Sequence, residues 1–175
     1  MADAATLKEA LAQQGPYAVW ELMTDEEQQA AAAALWEAAD RDTRAVLEMT
    51  LAKDLKFRPQ SVRKLPPERV ITRLVRLAEN VPENLLFQYI FHLHMSDRRQ
   101  LLVSFLDGAG IPHEEGVLDL PEDYEGPDAA RVEQAARDLV STEGHEAVVY
   151  LATLKVADRE FWSALDVVLD EQPVS

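Results

Sequence analysis

The chain has 175 residues and no cysteine, which excludes disulfides, cysteine-ligated zinc and thiol catalysis. Its formal charge of −15 disfavours nucleic acid and membranes as partners of the chain as a whole. No apolar run approaches the ~18 residues of a membrane span, and the N-terminus MADAATLKEALAQQG does not resemble a signal peptide. We therefore expect a cytoplasmic protein that folds as a single domain over residues 1–175.

Capping signals predict four helices in the first third of the chain. Thr6 caps a short helix that ends at Gly15, and Pro16 begins the next one. Thr24 and Glu27 have the spacing of a capping box, which predicts a helix over 25–39. A fourth helix is predicted over 44–54, and its inward side is expected to consist of Val46, Leu47, Thr50 and Leu51.

A basic window, residues 53–76, interrupts this acidic chain. It holds eight basic and two acidic residues, a net charge of +6, which leaves −21 for the rest. A loop with prolines at both ends, 57–66, leads into a helix that starts at Pro67. Such charge segregation predicts an interaction surface. Its candidate residues are Arg58, Arg63, Lys64, Arg69, Arg73 and Arg76.

The helix predicted over 83–95 is apolar on almost every side and carries no formally charged residue from Asn84 to His94. This pattern predicts a central helix that neighbours cover on several sides. A single polar seam, Asn84, Gln88 and His92, runs along it at intervals of four residues. We expect the seam to bond a neighbouring helix or to face solvent. The alternative is that it forms a pocket wall together with Tyr150 or Tyr89.

A further helix is predicted after 83–95, with Ser96 or Asp97 as its cap and Gly108 at its end. A long acidic loop, 109–127, follows it. Residues 113–128 include seven acids and no lysine or arginine. Further helices are predicted over 128–139, over 146–156 and from Asp158 onward, followed by a tail at 172–175. No segment alternates like a strand over a useful length. The predicted fold is all-α, with about ten helices and no sheet.

Two segments of the chain are similar to each other. Residues 89–98 (YIFHLHMSDR) and 150–159 (YLATLKVADR) share four of ten positions, and 35–41 is a weaker third copy. We interpret the shared Asp-Arg pairs as structural, with the Asp capping a helix and the Arg contacting the carbonyls of the preceding one. The sub-repeats would be 16–55, 67–108 and 128–171. Such a stack of helical units resembles HEAT or armadillo repeats in architecture, although neither signature motif is present.

No grouping of residues predicts a reactive centre. The four histidines lack metal-ligand spacing, the acidic loop lacks calcium-loop spacing, and no glycine-rich phosphate loop or nucleophile motif is present. We therefore expect no catalytic residue, no metal and no cofactor.

The function predicted from these features is a non-catalytic protein-interaction scaffold, whose partner is another protein or a second copy. The charged loops would mediate self-association into a homo-oligomer, unless the basic loop is neutralised by the acidic loop of the same molecule. One alternative is a small-molecule-binding regulatory domain with a pocket beside helix 83–95. Another is an anion or nucleic-acid binder that uses window 53–76, although no recognition helix or RNA-binding motif supports it.

Overall fold

A computed structural model describes residues 5–173 of the chain, and most of them are helical. The predicted all-α class is confirmed at this level, with eleven α-helices among the described residues, while a HEAT-like stack is not confirmed. The helices are α1 (Leu7–Gln14), α2 (Pro16–Leu22), α3 (Asp25–Ala38), α4 (Arg41–Leu55), α5 (Pro59–Val62), α6 (Pro67–Leu77), α7 (Glu83–Ser96), α8 (Arg99–Ala109), α9 (Ala129–Glu143), α10 (His145–Ala157) and α11 (Asp166–Asp170).

The contacts between residues divide the chain into two compact units. The middle unit is Thr24–Leu93, and the terminal unit combines the described residues up to Met23 with those from His94 onward. The boundary falls within α7. The single domain over 1–175 and its three sub-repeats stay predictions.

The predicted capping box of α3 and the predicted Thr6 cap of α1 are confirmed. The backbone N–H of Glu27 donates to the Thr24 hydroxyl at 3.2 Å, and the Glu27 carboxylate accepts from the Thr24 N–H at 2.8 Å. Thr6 and Glu9 form the same reciprocal pair at the start of α1. Both helix starts are therefore encoded locally, because each side chain satisfies a backbone donor that has no partner within its helix.

The core of the terminal unit is built around α10. All seven residues from Ala147 to Thr153 are buried, and α1, α2, α9 and α11 contact this helix. Helix α7, predicted to be covered on several sides, buries Leu85, Leu86 and Ile90, but its Phe91 is 41% exposed, so its apolar surface is covered less completely than that of α10. Small residues such as Ala147 and Ala152 allow neighbouring helices to approach α10 on every side.

The middle unit has its core between α3, α4 and α6. Leu35 of α3, Leu47 and Leu51 of α4, and Val70 and Leu74 of α6 are almost completely buried. These positions follow helical spacing on each element, so each helix turns one apolar face towards the others.

A short hairpin contradicts the expectation of no sheet. Strands β1 (His113–Glu114) and β2 (Val117–Leu118) pair antiparallel within the predicted acidic loop. Glu115 and Gly116 form the two-residue turn, and both have positive φ angles, 50° and 89°. This is the backbone of a type I′ turn, whose twist matches that of the paired strands. The strands were missed because two residues are too short to show alternation.

The end of α8 differs from its prediction. The sequence predicts that Gly108 closes this helix, but α8 continues to Ala109 and Gly110 caps it in the left-handed conformation. A Cβ atom added to Gly108 would lie 3.4 Å from Cβ of Ala135 in α9. Gly108 therefore permits close packing of two helices instead of ending one.

The three acid–arginine joints are not equivalent. Asp40 caps α4 by accepting from the Thr43 N–H at 2.7 Å. Asp158 accepts from the Phe161 N–H at 3.0 Å, but the helix predicted from Asp158 onward is wrong in its start, because α11 begins at Asp166. The predicted cap at Asp97 is wrong, because Arg98 is the N-cap residue of α8 and makes no side-chain capping bond. Arg159 donates to the Leu11 carbonyl of α1, and not to the helix that precedes it as predicted.

The C-terminal segment is not a free tail over its described part. The Leu7 N–H donates to the Gln172 carbonyl at 3.2 Å, and Thr6 and Pro173 form an isolated β-bridge. Arg137 of α9 contacts both Glu133 and Glu171. The last two residues of the predicted tail, 174–175, lie outside the described residues, as do residues 1–4.

Candidate interaction surface

The basic window is carried by the end of α4, the short helix α5 and the outward side of α6. Val70 and Leu74 anchor α6 in the core, while Arg69 and Arg76 are exposed. The predicted spacing of i, i+4 and i+7 thus places Arg69, Arg73 and Arg76 along one side of a firmly packed helix. The loop predicted over 57–66 contains α5, which Pro59 begins.

Two of the six candidate cations are neutralised inside the middle unit. Arg63 contacts the buried Glu48 carboxylate, with its Nε 3.0 Å from both carboxylate oxygens. The Glu48 carboxylate raises the pKa of Arg63. Arg73 pairs with Asp54 at 2.8 Å. These two arginines therefore satisfy acids of α4, which reduces the charge that they offer to a partner.

The other four candidate cations, Arg58, Lys64, Arg69 and Arg76, have no ion pair within the described residues. All four are exposed. An exposed cation without a partner keeps its hydration, so a carboxylate or phosphate that replaces that water gains modest energy per contact. Four such cations in one window create a locally positive potential on a chain with a charge of −15.

An open pocket of about 380 Å³ lies between α4 and α6. Its lining combines one apolar residue of α4 with the polar side of α6: Leu55, Glu68, Arg69, Thr72, Arg73 and Arg76. The Thr72 hydroxyl donates to the Glu68 carbonyl at 2.9 Å, so it is held against its own helix. The pocket brings three of the predicted interaction residues together and could accept an acidic side chain.

The outer face of α4 was missed by the sequence prediction. Val46 was expected on the inward side, but it is 50% exposed, and Met49 is 65% exposed. Glu48 takes the inward position because Arg63 neutralises it there. Phe57 follows the helix at 42% exposure, and its N–H donates to the Ala52 carbonyl at 2.9 Å. The sequence could have indicated this second face, because apolar residues occur on two sides of α4.

Three members of the predicted pocket wall belong to the middle unit and Tyr150 belongs to the terminal unit, so a wall shared by all four stays a prediction. Asn84 and Gln88 are exposed, as expected for a solvent-facing edge, and His92 is half-buried. Burial lowers the pKa of His92, and the Asp40 carboxylate partly opposes that shift. Tyr150 lies in the core of the terminal unit, beside His94 and Phe105. Neither the pocket beside α6 nor a second one, of about 540 Å³ between α8 and α9, is lined by these four residues.

No family model, curated protein or solved structure matches this chain. The function therefore has to be argued from the geometry of its own residues.

Two histidines, His113 and His94, form hydrogen bonds that stabilise the fold. His113 accepts from the Gly116 N–H through Nδ1 at 3.1 Å, so Nε2 carries the proton that is shared with Asp107 at 2.7 Å. Its imidazole therefore has no free lone pair for use as a base. In the terminal core, the Thr153 hydroxyl donates to the Val149 carbonyl and accepts from Nε2 of His94.

Within residues 5–173, no three His, Asp or Glu side chains come together as a group that could hold a metal ion. Over the same residues, every helix is too short or too polar to cross a bilayer.

Proposed function

We propose that this protein is a non-catalytic interaction scaffold that binds an acidic segment of another protein through window 53–76. One observation carries the proposal: Arg58, Lys64, Arg69 and Arg76 are exposed and make no ion pair within the described part of the chain. Arg69 and Arg76 also line an open pocket of suitable size for a carboxylate side chain. The remaining candidates, Arg63 and Arg73, hold α4, α5 and α6 together at this surface.

The proposal includes the HEAT- or armadillo-like stacking of helical units and a cytoplasmic location. The similarity between 89–98 and 150–159 supports repeated units, and the absence of cysteine from the sequence is compatible with a reducing compartment. Helical repeats present extended surfaces on which successive side chains can contact a partner.

The second candidate function is anion or nucleic-acid binding through the same window. Arginine favours it, because a guanidinium group can bind phosphate with two parallel hydrogen bonds. The acidic charge of the rest of the chain disfavours a long polyanion, whose phosphates would extend beyond the window.

A binding titration tests the proposal. The labelled probe is a polyglutamate peptide, and its fluorescence anisotropy is measured with the full chain at low salt. We expect saturable binding that Arg69→Gln/Arg76→Gln weakens on the order of tenfold, since each exposed charge contact contributes up to ~1 kcal/mol. High salt should reduce the binding as well.

The matched control is Lys8→Gln/Arg41→Gln, which removes the same charge from exposed positions outside the window. Equal weakening by both variants would mean a response to net charge only, and would contradict a defined site. A single-stranded DNA oligonucleotide serves as the second probe. Tighter binding of DNA than of polyglutamate would replace the protein partner with nucleic acid.

A further inference from the structure

The outer face of α4, formed by Val46 and Met49, is apolar but exposed, with Lys53 on the same side of the helix at i+7 from Val46. Phe57, which follows the C-cap of the helix, is an exposed apolar residue as well. Lys56 and Arg58 flank Phe57, and both are exposed. Apolar side chains surrounded by cations are suited to a partner that offers apolar and acidic groups together.

This surface is held in place before any partner arrives. Leu47 and Leu51 fix the inward side of α4 in the core. Lys56 ends the helix in the left-handed conformation, at φ 56°, and the Phe57 N–H closes the helix end on the Ala52 carbonyl. Binding here would therefore order few additional groups, which lowers its entropic cost.

The same chain carries a segment of complementary chemistry, the acidic hairpin, residues 113–119. Val117 and Leu118 are 52% and 40% exposed, and Glu114, Glu115 and Asp119 are exposed around them. Residues 113–128 include no lysine or arginine. Glu115 pairs with Arg99 of α8 at 3.7 Å, while Glu114 and Asp119 have no ion pair within the described residues. The hairpin thus combines exposed apolar side chains with two unpaired acids on one small element.

The acidic hairpin is also held rigidly. His113 bonds Asp107 of α8 through Nε2 and accepts the Gly116 N–H through Nδ1. The Asp119 N–H donates to the Pro112 carbonyl at 3.1 Å, which closes the base of the hairpin. A Cβ atom added to Gly116 would lie 3.1 Å from Cβ of Leu102, so the turn packs directly on α8.

We propose that the acidic hairpin of one copy docks on the outer face of α4 of a second copy, with Val117 against Met49, because Val117 shares one face of the hairpin with Glu114 and Asp119. Glu114 and Asp119 then approach Lys53 and Arg58. This inference rests on the proposed function, because it names a second copy as a partner of the basic window. A contact of this size is weak and reversible, and its charged part is screened by salt.

Sedimentation velocity on charge-reversal variants tests the docking. At about 0.01 M salt, the apparent mass of the wild-type protein should exceed that of one chain. At about 1 M salt it should fall to the mass of one chain, because the screening length decreases roughly tenfold. Each charge-reversal variant alone should remain monomeric. These variants are Lys53→Glu/Arg58→Glu and Glu114→Lys/Asp119→Lys. An equal mixture of the two variants should associate again, since both contacts regain opposite charges.

The control matched to Glu114→Lys/Asp119→Lys is Glu37→Lys/Glu143→Lys, which makes the same charge change at exposed positions in the last turns of two helices, where lysine is tolerated. This control should associate like the wild type. Circular dichroism should show equal folding of all variants. Three results would each overturn the docking. The wild-type protein could stay at the mass of one chain at every concentration, the mixture could fail to associate, or the control could dissociate like the test variants.

The outcome is separable from that of the proposed function. If the wild-type chain never associates but still binds polyglutamate through Arg69 and Arg76, only the second copy is refuted. If it neither associates nor binds polyglutamate, both proposals are refuted.

Discussion

Helices α10 and α4 use their apolar residues differently. In α10, seven consecutive residues are buried, and Thr153 satisfies its hydroxyl with Val149 and His94. In α4, the inward face is buried, while Val46 and Met49 form a second apolar face that the described fold leaves exposed. Apolar side chains that do not contribute to a core, next to unpaired cations, indicate a surface available for binding.

The largest expected effect concerns α10. Leu151→Ala should lower the free energy of unfolding by about 2–5 kcal/mol, because it leaves a cavity in a fully enclosed site. Met49→Ala on α4 should change that free energy by less than about 0.5 kcal/mol. Urea unfolding of both variants measures the contrast. Equal losses would show that the outer face of α4 contributes to a core.

The buried tyrosines make the stability pH-dependent. Burial raises the pKa of Tyr89 and of Tyr150 well above the usual ~10. The folded chain keeps these protons after the unfolded chain has released them. This stabilisation is complete below pH ~10 and falls above it by up to about 1.4 kcal/mol per pH unit for each tyrosine. Urea unfolding at several alkaline pH values should show this slope.

A slope that persists unchanged in a Tyr89→Phe/Tyr150→Phe variant would contradict that origin. Since Tyr150 lies in the terminal unit and Tyr89 in the middle unit, the single variants assign each share of the slope to one unit.

A smaller effect separates the two tyrosines at neutral pH. The Tyr89 hydroxyl donates to the Leu74 carbonyl at 3.3 Å, so Tyr89→Phe should cost about 0.5–1.5 kcal/mol. The Tyr150 hydroxyl is buried without a hydrogen-bond partner in the described structure, so Tyr150→Phe should be neutral or stabilising. Thermal unfolding of the two variants gives the comparison. A larger loss for Tyr150→Phe would reveal a polar partner for its hydroxyl.

Features encoded by neighbouring residues could be predicted from the sequence. The helix caps at Thr6 and Thr24 and the helix start at Pro67 depend on side chains within one turn. The position of Arg69, Arg73 and Arg76 along one side of α6 could be predicted from their spacing, because Val70 and Leu74 take the buried positions of that helix. These contacts are local, so no knowledge of the fold was needed.

Features that depend on distant contacts could not be predicted. Phe91 and Ala152 occupy equivalent positions in segments 89–98 and 150–159, yet Phe91 is 41% exposed and Ala152 is fully buried. Glu48 points inward only because Arg63, fifteen residues later, pairs with it. Periodicity detects apolar faces but not which of two faces a neighbour will cover, and that choice determines the outer face of α4.

The most direct test of window 53–76 as the docking surface is an NMR titration of the ¹⁵N-labelled full chain with polyglutamate at low salt. We expect amide shift changes concentrated in residues 53–76, with the signals of α10 unchanged. Shift changes concentrated in α10 or elsewhere in the terminal unit, or a spectrum that polyglutamate leaves unaltered, would contradict this expectation.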